Sequence, residues 1–266
     1  MSVKPQAHPQ QNHLLAALSP EVQARLFPHL ELVALPLRAL MYEAGRPMEH
    51  VYFPTDAIVS LQYLMENGES TAILVVGNEG LLGISLFMGG ESSPNRSVVQ
   101  SAGHAYRLPR PKVKEEFNRH GQLLMLMLRY TQSLITQVAQ TAVCNRHHSI
   151  DQQLCRWLLL SMDRLSHNHL TMTQEFIGTM LGVRREGVNV AASKLQQLGA
   201  ISYSRGLIKV LDRPKLERLS CECYDVVKKE TDILLPYLRQ RQVITNVAAI
   251  PKVTLPTEAG REESDN

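Results

Sequence analysis

The chain has 266 residues, 44% hydrophobic and 20% charged, which is apolar enough for real cores and excludes a wholly disordered protein. At roughly 150 residues per domain, two domains are the default. The net charge of +3 conceals an asymmetry, because residues 1–110 hold 7 Lys/Arg against 9 Asp/Glu whereas residues 146–218 hold 11 against 6. A basic C-terminal half suggests a polyanionic partner for that half alone, with a solvated charged face as the alternative.

Residues 1–13 are rich in Gln, Pro and His and lack the apolar centre of a secretory signal. No run of about 18 apolar residues is present to span a membrane. A cytoplasmic protein with no membrane partner is therefore expected. Residues 12–30 carry helical spacing, with Ser19-Pro20 as a helix start. From 32 to 107 the chain reads as short strands punctuated by Gly45, Pro54, Asn67-Gly68 and Gly89-Gly90, the pattern of a small antiparallel sandwich, barrel or roll.

Between Pro111 and Pro214 there is no proline, and helical periodicity takes over. Helices are predicted over 112–119 and 122–145. In the longer one, Leu128, Ile135 and Ala142 recur every seven residues, as do Leu124, Thr131 and Val138. These rows make a candidate a/d seam for a homodimer, with burial inside the chain's own domain as the alternative. A helix interrupted at Pro236 is predicted over 224–240, and a disordered tail over 251–266.

The most specific segment runs from Thr171 to Leu195. Thr173 can cap a helix whose apolar face is Phe176, Ile177, Met180 and Leu181, and Gly182 follows where a left-handed turn is needed. A second helix from Arg184 would bury Val188, Ala191 and Leu195 while exposing Arg184, Arg185, Glu186, Asn189 and Ser193. Two short strands around Ser204-Arg205-Gly206 then read as a β-hairpin, and the whole as a winged helix-turn-helix. In such a motif Arg185, Glu186 and Asn189 are the candidate base readers of double-stranded DNA. Thr173, Gln174, Arg184, Ser193, Lys194 and Arg205 are the candidate phosphate contacts.

Residues 14–220 together resemble the Crp/Fnr family of transcription regulators, most closely in Val183-Arg184-Arg185-Glu186-Gly187-Val188. The resemblance implies an α+β fold: an N-terminal antiparallel β-roll of double-stranded β-helix or jelly-roll type, a long dimerisation helix and a C-terminal winged helix-turn-helix. The corresponding division is a sensor over 12–120, the dimerisation helix over 121–146, the DNA-binding domain over 147–222, and a C-terminal helix and tail over 223–266. It also implies a homodimer on a palindromic site, with RNA polymerase as a further partner. A second family arginine corresponds to Val190, so the operator sequence does not carry over.

The sensor departs further from the pattern. In Glu79-Gly80-Leu81-Leu82-Gly83-Ile84-Ser85 an isoleucine, Ile84, stands where cyclic-nucleotide binders of the family have a ribose-holding glutamate, although Arg96-Ser97 matches their phosphate-holding pair. Gly83, Arg96 and Ser97 remain the candidate effector pocket, with control by cyclic AMP not expected, no cofactor predicted and the effector unassigned. Arg96 is expected in a structural ion pair or on a different anion. The iron-sulfur members' N-terminal cysteines are missing, since the first cysteine is Cys144. Neither Cys144-Asn145-Arg146-His147-His148 nor Cys221-Glu222-Cys223 shows a complete four-ligand spacing. These thiols are expected to be buried or incidental, with no metal, and the role of Cys155 is left open. No GxxxxGK(S/T), GxSxG or HExxH motif suggests an enzyme. The rival reading is a ligand-sensing or protein-interaction β-roll with a degenerate DNA-binding domain.

Overall fold

The computed structural model describes residues 8–235. Asn12 caps α1 (His13–Ala16) by accepting from Leu15 N, and its buried amide donates to the Pro54 and Gly80 carbonyls. Proline at the first position opens α2 (Pro20–Leu26), whose Val22 and Leu26 face inward.

Seven strands follow: β1 (Glu31–Leu35), β2 (Leu40–Tyr42), β3 (His50–Pro54), β4 (Ile58–Leu64), β5 (Ser70–Val76), β6 (Arg96–Ser101) and β7 (Gly103–Pro109). They pair antiparallel in two sheets, ordered β1-β7-β3 and β2-β6-β4-β5. Side chains alternate across a strand, so Val51 and Phe53, Val59, Leu74 and Val76 point into one core that Leu14, Leu15 and Leu35 complete.

Helix α3 (Arg110–Phe117) leads into α4 (Gln122–His147), whose 26 residues span about 39 Å. Leu123, Met127, Tyr130 and Leu134 seat α4 on the sheets. The approach is close: a Cβ on Gly80 would lie 2.0 Å from the Tyr130 ring, so only glycine fits there.

The second unit opens with a capping box, Ser149 with Gln152, at the start of α5 (Ile150–Met162). It continues through β8 (His169–Thr171), α6 (Gln174–Leu181), α7 (Arg185–Gln197), β9 (Ile201–Ser204), β10 (Leu207–Val210), α8 (Arg213–Leu219) and α9 (Glu222–Leu234). Its sheet is ordered β8-β10-β9. Leu158, Ile177, Leu181, Val188, Leu195 and Ile208 share its core. Helix α9 takes the first part of the helix predicted over 224–240; the remainder and the tail at 251–266 lie outside the described residues. Among the described residues, no helix is long and apolar enough to cross a membrane.

The two units are joined by buried polar contacts. Arg164 Nε is 2.7 Å from Glu79 Oε1, and Gln100 Nε2 donates to Ser161 Oγ at 3.1 Å. The turn after α6 also lies against β5, with Gly182 facing the Thr71 side chain.

Candidate nucleic-acid interface

The helix-turn-helix follows from a few local requirements. Thr173 Oγ1 accepts from Phe176 N at 3.2 Å and caps α6. Gly182 has φ +67°, the left-handed conformation that glycine adopts cheaply, and a Cβ on Gly178 would meet the Val183 carbonyl at 2.8 Å. The chain can therefore turn tightly from α6 into α7, with Arg184 as the N-cap. Val188, Ala191, Ala192 and Leu195 anchor α7 in the core, which leaves Arg185, Glu186, Asn189, Ser193 and Lys194 exposed.

The β9–β10 hairpin turns through Arg205 (φ 49°) and Gly206 (φ 79°), two left-handed residues in succession as a tight hairpin requires. Between α6, α7 and this wing lies an open groove of about 530 Å³. It brings together Thr173, Gln174, Arg185, Asn189 and Arg205 of the sequence-predicted contacts and adds Gln196 and Tyr203. Gln174 Nε2 donates to Asn189 Oδ1 at 2.9 Å, which fixes the Asn189 amide across the groove. Tyr203 Oη donates to the Met172 carbonyl at 2.9 Å, and partial burial pushes its phenol up. Arg184, Glu186, Ser193 and Lys194 are exposed but do not line the groove. Lys194 forms an ion pair with Asp151 of α5, a hydrogen bond that raises the ammonium's pKa.

A cavity of about 520 Å³ lies between the β-roll and α4. Gly83, Ile84 and Ser97 line it, with Thr131, Leu134, Ile135, Val138 and Ala139 from α4, and among the described residues no charged side chain does. Arg96 is not among its walls. Consecutive residues of a strand face opposite sides, so Ser97 enters the cavity while Arg96 turns to the other face of β6. There it donates to Ser70 Oγ at 3.2 Å. Among the described residues no carboxylate comes within ion-pair distance of it, so the expected structural ion pair does not form. Arg96 shares that second groove with Arg38 and with Glu175 and Phe176 of α6. The Arg38 guanidinium stands 6.0 Å from the Phe176 ring centroid.

Along α4 the predicted seam divides. Leu128 (51% exposed), Ile135 (56%) and Ala142 face outward. Thr131 is buried, its hydroxyl donating to the Met127 carbonyl, and Leu124 and Val138 are half-buried. The second outward row is instead Met125, Gln132 and Ala139, one residue further along the helix.

All four cysteines are buried and free, and the fold brings three of them together with a histidine. Cys144 in the last turn of α4, His148 just beyond it, and Cys221 and Cys223 at the start of α9 converge, with their ligand-type atoms all within 4.8 Å of one another. Each half offered too few ligands, and the halves lie 77 residues apart in the chain. The legible signal was the pair of doublets, Cys-x-x-x-His on a helix and Cys-x-Cys. The Cys144 and Cys221 thiols share a hydrogen bond, which holds Cys221 below the usual thiol range and pushes Cys144 above it. Cys155 lies outside the group, and burial pushes it up to about 12.

Residues 152–219 match the family model of the Crp-like helix-turn-helix domain. No curated protein sequence matches the chain. Among solved structures, FixK2 of Bradyrhizobium japonicum is 17% identical with a TM-score of 0.60, over 72% of this chain and 98% of that one. A CRP-family transcriptional regulator of Thermus thermophilus is 18% identical with a TM-score of 0.58, over 71% and 96%. The c-di-GMP-responsive global regulator CLP of Xanthomonas campestris is 12% identical with a TM-score of 0.58, over 73% and 100%. At these identities the likeness is one of fold.

Proposed function

We propose that this chain, which carries a Crp-like helix-turn-helix domain on the fold of the Crp/Fnr transcription regulators, acts as a homodimer that reads a palindromic DNA site. It works by binding rather than by catalysis, with RNA polymerase as the downstream partner. The observation that carries the reading is the groove in which Arg185 and Asn189 of α7 meet Gln174 and the wing's Arg205. An arginine at the exposed start of such a helix pairs bidentately with guanine, an asparagine contacts a further base edge, and the wing cation meets a phosphate. Glu186, exposed beside Arg185, completes the reading head by accepting from cytosine N4.

Cyclic AMP is not the signal in this reading. Ile84 and other uncharged side chains line the sensor cavity and Arg96 faces away from it, so a cyclic phosphate would be buried without a cation. The outward row Leu128, Ile135 and Ala142 supplies the apolar seam for the homodimer.

Selection of binding sites from random duplexes, with and without cyclic AMP, tests the proposal. A palindrome with half-sites about 10 base pairs apart, enriched equally in both conditions, is expected. A site enriched only with cyclic AMP would refute the account of the cavity. Asymmetric single sites would refute the homodimer.

A further inference from the structure

The DNA-reading groove makes no use of Cys144, His148, Cys221 and Cys223. Their spacing is informative: Cys144 Sγ lies 3.5 Å from Cys221 Sγ, Cys223 Sγ lies 3.5 Å from His148 Nδ1, and all four atoms fall within 4.8 Å of one another. A disulfide holds its sulfurs about 2.05 Å apart, far closer than this. A tetrahedral zinc ion, with bonds of about 2.3 Å to sulfur and about 2.0 Å to nitrogen, sets its donors roughly 3.5–3.8 Å apart. A polynuclear iron-sulfur cluster distributes its donors over several metal atoms and needs a wider frame.

Two further features fit a metal ion. His148 points Nδ1 at the sulfurs while its Nε2 lies 3.3 Å from Glu222 Oε1, so a carboxylate can fix the ring and its tautomer as it does for metal-bound imidazoles. Arg156 is buried at 6% exposure, with one nitrogen donating to Thr141 Oγ1 and its Nε without a hydrogen-bond partner. Among the described residues no carboxylate lies within ion-pair distance of it. A buried cation needs a counter-charge. Three thiolates, one imidazole and Zn²⁺ carry a net single negative charge and would provide it.

We propose that Cys144, His148, Cys221 and Cys223 bind one Zn²⁺ in a closed tetrahedral site that ties the end of α4 to the start of α9. Three soft thiolates and an imidazole select zinc over calcium or magnesium, and four protein ligands leave no position for substrate, so the role is structural. Because α4 carries the outward seam and α9 follows the winged helix, the ion holds the DNA-reading unit at a fixed place on the long helix. Uptake expels the protons still on the thiols.

The test is metal analysis of the full-length protein purified under reducing conditions without added metal, followed by Co²⁺ substitution. About one zinc per chain is expected, and Co²⁺ should give the intense visible bands and the sulfur-to-metal charge-transfer band of a tetrahedral thiolate site. Cys144→Ser and Cys221→Ser should abolish both, and Cys155→Ser should change neither. His148→Cys should retain the metal with a stronger charge-transfer band, while Glu222→Gln should keep the stoichiometry and weaken affinity about tenfold or more. Should the serine variants not fold, the wild-type Co²⁺ spectrum and the His148→Cys shift still report on the ligands. The proposal is overturned by wild-type protein that holds no zinc and gives no charge-transfer band with Co²⁺. It is equally overturned by a Cys144–Cys221 disulfide in the freshly purified protein, or by metal binding that Cys144→Ser leaves unchanged.

Discussion

Arg184 and Arg185 are adjacent and both exposed, but the turn from α6 into α7 gives them different neighbours. Arg185 lines the groove beside Asn189 and Tyr203; Arg184 is the N-cap and stays outside it. Arg185→Ala should therefore cost roughly 1–3 kcal/mol at one base position of the selected site and little on other sequences. Arg184→Ala should weaken all duplexes alike and reduce the salt slope by about one unit. Fluorescence anisotropy on matched and single-mismatch duplexes over a salt series separates the two, and a uniform loss for Arg185→Ala would remove it from base reading. Much of this region was legible in the sequence, because Thr173 and Gly182 act through local geometry that their identity and spacing announce. Lys194 was not, since its pairing with Asp151 depends on how α5 crosses α7. Arg96 is a third kind of case: its type matched a family pattern while the alternation of β6 sent its side chain to the opposite face.

At the scale of elements, α4 shows what a heptad pattern can and cannot say. Apolar residues occupy most of its circumference, so the sequence offers more than one pair of rows, and packing against the sheets selects between them. Tyr130, Met127 and Leu134 enter the β-roll core and carry Thr131 inward with them, leaving Met125, Leu128, Gln132, Ile135, Ala139 and Ala142 outward. Charge at Leu128 and Ala142 should break a dimer without unfolding the chain, because neither joins the chain's own core or lines the cavity, whereas Ile135 and Ala139 of the same stripe do line it. Leu128→Glu with Ala142→Glu should shift the mass by light scattering from dimer to monomer at micromolar concentration and lose cooperative binding to the palindrome, with the circular dichroism spectrum intact. An unchanged dimer would move the interface to another surface. The Cys-x-x-x-His at the end of the same helix escaped a reading that looks for four ligands in one stretch, since α5 to α8 intervene before its partners arrive.

At the scale of the whole molecule, two kinds of contact join the β-roll and its long helix to the winged helix-turn-helix. The uncharged cavity has walls from both the β-roll and α4, so whatever fills it bears directly on the helix that leads to the reading unit. A second link is polar: Glu79, in the loop after β5, accepts from the Gly77 amide and pairs with Arg164 at the end of α5, both side chains being at most 10% exposed. The resemblance drew attention to this loop for its missing ribose-binding glutamate at Ile84, yet the acidic residue that the loop does contain faces the other unit. A buried pair is weak evidence of net stabilisation, but removing one partner strands the other charge, at a typical cost of about 3–5 kcal/mol. Glu79→Gln should lower the denaturation midpoint accordingly. A double substitution of Glu79→Gln with Arg164→Met should recover part of that loss, because no unpaired charge is then left at the junction. If Glu79→Gln cost under about 1 kcal/mol, Arg164 would have to find water or another partner, and the junction between the units would be looser than the 2.7 Å contact implies. If the loss is full and the double variant recovers stability but not DNA affinity, the ion pair's contribution is to the angle at which the reading unit is held.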